Sequence, residues 1–491
     1  MNARAHERSA KALRRPPGAE LLLCAWALAA CLAARAAQPQ SPSPAAAANA
    51  ASTPLAQPSG ADTGFIYDHD YPFIGYSGTP RHNDVARLIA RMKAGKVKLS
   101  YREPRGYLDS LLKTLGVDPD SQVLVFSKTS LQTDLITPQT PRAIYFDDDT
   151  YVAWIDHSSL IEVATMDGVM GTVFYTMVEQ PTATARFERD TTRCLSCHDT
   201  FSLSGGGVPN FLFLSAYIRR DRQILTNDVA QLTSDATPLT DRWGGWYVTG
   251  ATGEIADLGN ILPSATGAVP VSAVHPRALA TLDGLFDTTR YPTNTSDVVA
   301  LLVLQHQVDI HNLIIHANYR CRWLLEHDRP GSSTASLPWK ELPAPLQRHF
   351  AELLEPLLRG ILMVDAAPLP HPIHGISDFA KSFEGRGPRD PQGRSLRELD
   401  LHRRLFRYPL SFLIYSEGFD DLPAAAKEYV YRRLDEILTG RDTSPTFSRL
   451  SAPDRSAVLE ILGATKPDFA RTVIEARASA ARSAVRSPHA G

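Results

Sequence analysis

Cys194-Leu195-Ser196-Cys197-His198 constrains this chain more than any other stretch, because three chemically demanding side chains must share one side of a single turn. On a helix the two cysteines stand at i and i+3 and His198 stands at i+4 from Cys194, so all three project together. The spacing is the C-x-x-C-H pattern of haem c attachment, and it occurs once. In that reading the Cys194 and Cys197 thiols add to the two vinyl groups of one covalent haem c, and the His198 imidazole is the proximal ligand of the iron. A C-x-x-C also serves redox dithiols and zinc sites. A zinc site needs a second C-x-x-C or an H-x-x-x-H, and neither is present. A thioredoxin-like dithiol wants a βαβ context, whereas the flanks here read as strand and glycine loop.

The 491 residues suffice for two or three domains, and a composition of 43% hydrophobic and 21% charged residues is ordinary for a globular chain. A net charge of −2, with no basic run interleaved with aromatics, argues against nucleic acid as a partner. Of five cysteines, two lie in an N-terminal apolar run and two in the motif. Cys321 stands alone on a helical stretch and reads as a small buried apolar residue.

Residues 1–37 read as a signal peptide: Arg4, Arg8, Lys11, Arg14 and Arg15 precede an apolar run from Leu21 to Ala34. Fourteen residues are short for a membrane span, which needs about twenty. Leu28-Ala29-Ala30-Cys31 resembles a bacterial lipobox with Cys31 lipidated, while Ala34-Arg35-Ala36 suits ordinary signal peptidase; both remain open. The expected location is therefore the periplasm or outer membrane of a Gram-negative bacterium. Any membrane contact would run through an N-terminal lipid anchor. Residues 38–62 are rich in Ala, Pro and Ser and read as a flexible tether.

The expected fold class is α+β. A mixed part over 63–185 opens with helices at His82–Met92 and Tyr107–Leu115. Strand signals follow at Gln122–Phe126, Ala143–Phe146, Tyr151–Ile155, Leu160–Ala164 and Gly171–Thr176. Asp147-Asp148-Asp149 reads as a hairpin turn, since EF-hand spacing and its closing Glu are missing. A strand-rich part over 186–292 bears the motif, with strands expected at Phe211–Ile218 and Gly244–Thr249 and with Trp243 and Trp246 in packing roles. Gly205-Gly206-Gly207 would let backbone pass close to a bulky ligand, and the Pro209 carbonyl is the expected hydrogen-bond acceptor for His198. A helical part over 293–491 begins with an unbroken run from Val298 to His327, capped by Ser296 or Asp297. Further helices are expected at Ala344–Met363, Leu396–Phe406, Pro423–Thr439 and Ala452–Leu462, followed by a frayed tail.

The second axial position decides what a haem does. No Met occurs between His198 and Met363; Met166, Met170 and Met177 lie upstream in strand-like sequence and read first as core. The long helix carries His306 and His311, five residues apart and so about 140° around the axis, which rules out the i, i+4 metal clamp. Either is a candidate distal ligand, and each also reads as a hydrogen-bonded interdomain histidine. Gln307 or Asp309 would equally position water over an open site.

Several segments resemble a family of large exported bacterial c-type cytochromes with a single haem. They are Gln122-Val123-Leu124-Val125-Phe126-Ser127-Lys128-Thr129-Ser130, Pro141-Arg142-Ala143-Ile144-Tyr145-Phe146 and the motif with Gly207-Val208-Pro209. Arg242-Trp243-Gly244-Gly245-Trp246-Tyr247-Val248-Thr249-Gly250, His306-Gln307 with His311-Asn312, and Phe412-Leu413-Ile414-Tyr415-Ser416 extend it. Only the motif carries assigned chemistry there, so the resemblance implies roles for Cys194, Cys197 and His198 alone. Some relatives place His or Met near Glu254–Asn260; Ala256 and Leu258 depart from that and argue against a Met-ligated haem. The expected function is haem-mediated electron transfer, with a redox protein or a small-molecule donor or acceptor as partner. The alternative is a peroxidase-like haem oxidoreductase with an open distal site. A carrier needs only about a hundred residues around its haem, so chain length leans toward the enzyme.

Overall fold

In the computed structural model, residues 69–486 are described apart from residue 80, segments 182–184, 201–202, 204–206, 217–230, residue 256 and segments 263–277 and 329–336. The signal segment 1–37 with Cys31, the tether 38–62, Gly205, Gly206 and Ala256 lie outside the described residues. Asn83 starts the first helix, α1 (Asp84–Lys93), by accepting the Ala86 amide on its side chain, and Val85 and Leu88 face inward. The second, α2 (Leu108–Leu115), ends at Gly116 in the left-handed region.

Five strands then run as an antiparallel meander: β1 (Val123–Val125), β2 (Arg142–Phe146), β3 (Thr150–Trp154), β4 (Leu160–Asp167) and β5 (Gly171–Val178). A sixth strand, β6 (Phe187–Asp190), follows β5, and a late strand, β9 (Trp246–Tyr247), closes on the far edge of β1. The sheet order is β6-β5-β4-β3-β2-β1-β9. β6 and β9 belong to the segment expected to bear the motif, so that segment and the one before it share a single sheet. β3 is buried at all five positions, which places protein on both faces. Asp147–Asp149 form the β2–β3 turn: the Asp147 carboxylate accepts the amides of Asp149 at 3.0 Å and Thr150 at 2.8 Å.

The middle of the chain is less regular than expected. Of Phe211–Ile218, residues 217 and 218 lie outside the described residues and the rest supplies β7 (Leu214–Ser215), paired with β8 (Gln231–Leu232), while Gly244–Thr249 supplies only β9. Side chains do the work there that a ladder does elsewhere. Trp246 stacks on Phe213 at 4.6 Å and donates its indole N–H to Leu214 O at 2.8 Å, while Trp243 is fully buried.

The long helix, α4 (Val298–Asp328), determines the rest. Antiparallel order puts the β2–β3 turn, the β4–β5 turn and the exits of β6 and β9 at one end of the sheet, and α4 lies across that end. Ser296, just before it, accepts the Leu124 amide and donates to Tyr247 O; Gln307 donates to Asp147 O at 2.6 Å; Asn318 and Tyr319 donate to Val169 O and Met170 O. From Val298 to Tyr319 a helix covers about 32 Å, enough for the five interstrand spacings of about 24 Å from β9 to β5. At Gly171, with φ +73°, an added Cβ would stand 2.7 Å from Ile315, so a bulkier residue would push helix and sheet apart. Val298–His327 is long and apolar enough to cross a membrane, yet 89% of its most apolar window is buried inside this fold.

Beyond α4 the chain is helical: α5 (Ala344–Ile361), running through Pro356, then α6 (Phe379–Gly385), α7 (Glu417–Asp420), α8 (Ala424–Leu438), α9 (Ala452–Thr465) and α10 (Pro467–Arg486). The expected helix at Leu396–Phe406 is not there. The Asp400 carboxylate accepts the amides of His402 and Arg403, Leu401 takes a positive φ of 57°, and Leu399 bridges Phe406, so a tight turn replaces the helix. The architecture is α+β, an antiparallel sheet of seven strands followed by a mostly helical C-terminal region.

Asp297 joins the two regions. Its buried carboxylate caps α4 through the Val299 amide at 2.7 Å and takes the Ile376 and Ser377 amides at 2.6 and 2.7 Å. Asp297→Ala orphans all three donors and should cost on the order of 3 kcal/mol in chemical denaturation. A loss below about 0.5 kcal/mol, the level of an ordinary surface change, would contradict this role.

Candidate functional site

The motif turn grows directly from the end of β6. Asp190 Oδ1 accepts the amides of Thr192, Arg193 and Cys194 at 3.0, 2.7 and 3.2 Å, and Oδ2 holds Arg193 Nε at 2.6 Å. That carboxylate satisfies donors a helix start leaves orphaned, and α3 (Leu195–His198) follows, closed by the His198 amide on Cys194 O at 3.0 Å. Leu195 is the buried anchor, Cys194 is half-buried, and Cys197 is exposed; neither cysteine is in a disulfide. Burial, with the Asp190 and Glu162 charges nearby, pushes the Cys194 thiol up to about 12.

His198 is fixed on one nitrogen. Its Nδ1–H donates to Asn210 O at 2.7 Å, and Asn210 returns its own amide to His198 O at 3.0 Å. The acceptor expected was the Pro209 carbonyl; the chain places the next residue there instead, after Gly207 turns the backbone with φ 66°. A carbonyl can only accept, so the proton sits on Nδ1 and the lone pair on Nε2. Burial pushes His198 down to about 4, so the ring is neutral near pH 7, and Phe174 lies against it at 4.5 Å.

The acceptor loop is in turn tied to α4. Asn312 grips the Phe211 backbone on both sides, accepting its N–H and donating to its C=O at 2.9 Å each. Asn210 Nδ2 donates to His316 Nε2 at 3.0 Å. The His311 ring lies 5.4 Å and the Tyr151 ring 4.6 Å from Phe211, so His311 backs the loop.

The two distal candidates are already engaged. His306 is fully buried, with Nδ1 on Asp235 Oδ2 at 2.5 Å and Nε2 on Ser411 Oγ at 2.8 Å. His311 has Nδ1 on Tyr151 OH at 3.0 Å and Nε2 facing Asp149 Oδ1 at 3.5 Å. Gln307 donates to Asp147 O and Tyr151 OH, and Asp309 accepts the Asp235 amide at 3.1 Å. Met166, Met170 and Met177 are buried, and Met170 Sδ takes a contact from Arg189 at 3.5 Å. Cys321 is buried on α4, and burial pushes its thiol up.

Asp235–His306–Ser411 places a carboxylate, an imidazole and a hydroxyl in the order of a hydrolase triad. Nucleophilic chemistry does not follow. Ser411 and His306 are both fully buried, Phe406 and Phe412 flank the ring, and Ser411 Oγ also accepts the Leu413 amide as a cap. Burial alone would raise the Asp235 carboxyl; His306 and Arg242 beside it outweigh that and hold it below the usual range. The cluster is a structural lock between α4, residues 235–242 and the C-terminal region.

Among the described residues no group of three or more His, Cys, Asp or Glu side chains converges as a ligand set for a metal ion. A haem iron needs only one or two protein ligands, because the porphyrin supplies four. The residues present fit such a group: unpaired Cys194 and Cys197 stand on one turn with a neutral histidine whose Nε2 pair is not spent on the Asn210 carbonyl. Spacing alone singled out Cys194, Cys197 and His198 as candidates. Asp190, Asn210, Asn312 and His316 were missed; the proximity of Asn312 to His311 was the one available signal. No protein-family model matches the chain, and no curated protein or solved structure matches it.

Two outcomes follow from burial. In folded, haem-free protein, iodoacetamide at pH 8 should modify Cys197 at least tenfold faster than Cys194, because only the thiolate reacts; equal rates, read by peptide mass spectrometry, would contradict the environments described. Burial and the Arg320 charge push His316 down to about 4 from an ordinary 6.5. The unfolded chain then takes up the proton first, so this contribution to stability is complete above about pH 6.5 and is lost as pH falls toward 4. His316→Gln should make the fall of the denaturation midpoint across that window shallower, His198 supplying a like contribution that remains, and an unchanged slope would contradict the assignment.

Proposed function

We propose that this chain is an exported c-type cytochrome that holds one covalent haem on Cys194, Cys197 and His198 and transfers electrons to a partner protein or small molecule. The observation that carries the reading is the His198 hydrogen bond: Nδ1–H given to Asn210 O leaves the Nε2 lone pair available to a metal, on the same turn as two cysteines that are in no disulfide. Haem iron held in this way supplies a one-electron ferric/ferrous couple. The chain's part is to fix the ring. Burial keeps His198 neutral, the Asn210 carbonyl strengthens it as a donor, and Phe174 excludes water from one side. The N-terminal sequence supports export to the periplasm or outer membrane, and the family resemblance supports the class.

A second reading, a haem oxidoreductase with an open distal face, is favoured by the state of the other candidates. His306 has both nitrogens hydrogen-bonded, His311 has Nδ1 on Tyr151 with Nε2 facing Asp149 at 3.5 Å but not hydrogen-bonded to it, and Met170 has its sulfur in contact with Arg189. Moving His306 or His311 to an iron would take a hydrogen-bond partner from a buried group, Asp235 and Ser411 or Tyr151, at about 1–3 kcal/mol each.

Visible and electron paramagnetic resonance spectra of the oxidised and reduced protein separate the two. A low-spin haem that does not take up CO or cyanide supports the electron carrier and contradicts the open-site enzyme. High-spin bands with ready CO binding support the enzyme and contradict the simple carrier. His306→Ala should leave the haem spectrum unchanged, since both its ring nitrogens are hydrogen-bonded, and so should His311→Ala, since its Nδ1 is held by Tyr151 and its ring packs on Phe211; a shift to high spin in either would contradict its structural role.

A further inference from the structure

We infer that Asn312 and His316 on α4 are positioning residues for His198, setting its hydrogen bond and, through it, the electron affinity of the haem; the inference rests on the reading that His198 binds haem iron. His198 makes no hydrogen bond to either residue. It touches the Asn210 carbonyl at 2.7 Å, and that carbonyl belongs to an irregular stretch that has no ladder of its own at residues 210 and 211.

Two side chains from one helix replace the ladder. Asn312 pairs with both backbone groups of Phe211 at 2.9 Å, as a neighbouring strand would, and is itself buried. One turn further on, His316 accepts the Asn210 side-chain amide at 3.0 Å. Asn210 is buried, and its backbone amide goes back to His198 O, so the link from helix to histidine is closed at both ends. The Asn312 and His316 side chains stand at i and i+4, one above the other on the helix face that meets the loop. α4 is anchored across the end of the sheet at Gln307 and at Asn318, on either side of these two residues, so they have little freedom to drift.

The consequence is electronic. A proton shared from Nδ1 to a carbonyl gives the ring more anionic character, which strengthens it as a ligand and favours the ferric state. If the loop is released, the carbonyl drifts, that donation weakens, and the reduction potential rises. Thioether attachment would be unaffected, because Cys194 and Cys197 stand on the turn held by Asp190 rather than on the loop.

The test uses the full chain expressed with haem c attachment, comparing wild type, His316→Leu, His316→Gln and Asn312→Leu for covalent haem by intact mass, reduction potential by spectroelectrochemistry and thermal midpoint. His316→Leu removes the acceptor for Asn210, while the Gln oxygen restores one. Expected is full covalent haem in all, a raised potential in His316→Leu and Asn312→Leu, and a return toward wild type in His316→Gln. Loss of a group that orients a metal-bound histidine costs about 10–100-fold in ligand affinity, and a change of that order should appear in the ferric-to-ferrous equilibrium constant. Because Asn312→Leu also removes a buried pair and can unfold the chain, the half-buried His316 pair carries the decision. A potential and spectrum equal to wild type in folded, loaded His316→Leu overturns the inference while leaving the haem reading intact. A lowered midpoint with an unchanged potential likewise overturns it, as a merely structural role. Wild-type protein without covalent haem overturns both.

Discussion

A helix of 31 residues that is apolar enough to cross a membrane lies inside this protein, and every polar side chain it carries inward must find a partner. That demand organises the fold. Gln305 reaches Ser234 O, His306 reaches Asp235 and Ser411, Gln307 reaches the β2–β3 turn, Asn312 reaches Phe211 and Asn318 reaches the β4–β5 turn. These partners come from the sheet, the irregular middle and the C-terminal helices. One element therefore satisfies itself only by tying the other regions to it.

The motif turn depends on the same helix at one remove. Asp190 makes the turn possible by collecting three amides, but nothing within the turn fixes the ring of His198. The ring is fixed by a carbonyl, the carbonyl by a loop, and the loop by Asn312 and His316. Rigidity at the His198 ring is thus borrowed from α4, whose Asn312 and His316 lie more than a hundred residues later in the chain. A short motif can sit in loop-rich surroundings on those terms.

Sequence reasoning recovered what local periodicity controls. Alternating apolar residues marked β1 to β5, and the absence of Gly and Pro from Val298 to His327 marked α4. It missed β6, whose Phe-Glu-Arg-Asp carries three charges on an edge strand, and it expected a helix at Leu396–Phe406 where Asp400 prefers its own backbone neighbours. The same limit applies at the site. Cys194, Cys197 and His198 stood out as candidates because the spacing that haem attachment would require can be read directly from the sequence. Asn210 was mistaken for Pro209 by one residue, since which carbonyl meets Nδ1 is set by how Gly207 turns the chain. His306 and His311 stood out as candidate ligands because their partners, Asp235, Ser411, Tyr151 and Asp149, are distant in sequence. Only the folded chain brings those groups within reach.

The central claim, that the turn at 194–198 carries one covalent haem, is tested most directly by intact-mass measurement of the denatured protein from cells able to attach haem c. The predicted result is a single haem adduct that withstands denaturation, is abolished when Cys194 and Cys197 are both replaced by alanine, and localises to the peptide holding both cysteines. Unmodified Cys194 and Cys197 in the wild-type chain, with attachment demonstrated for a control cytochrome in the same cells, would contradict it.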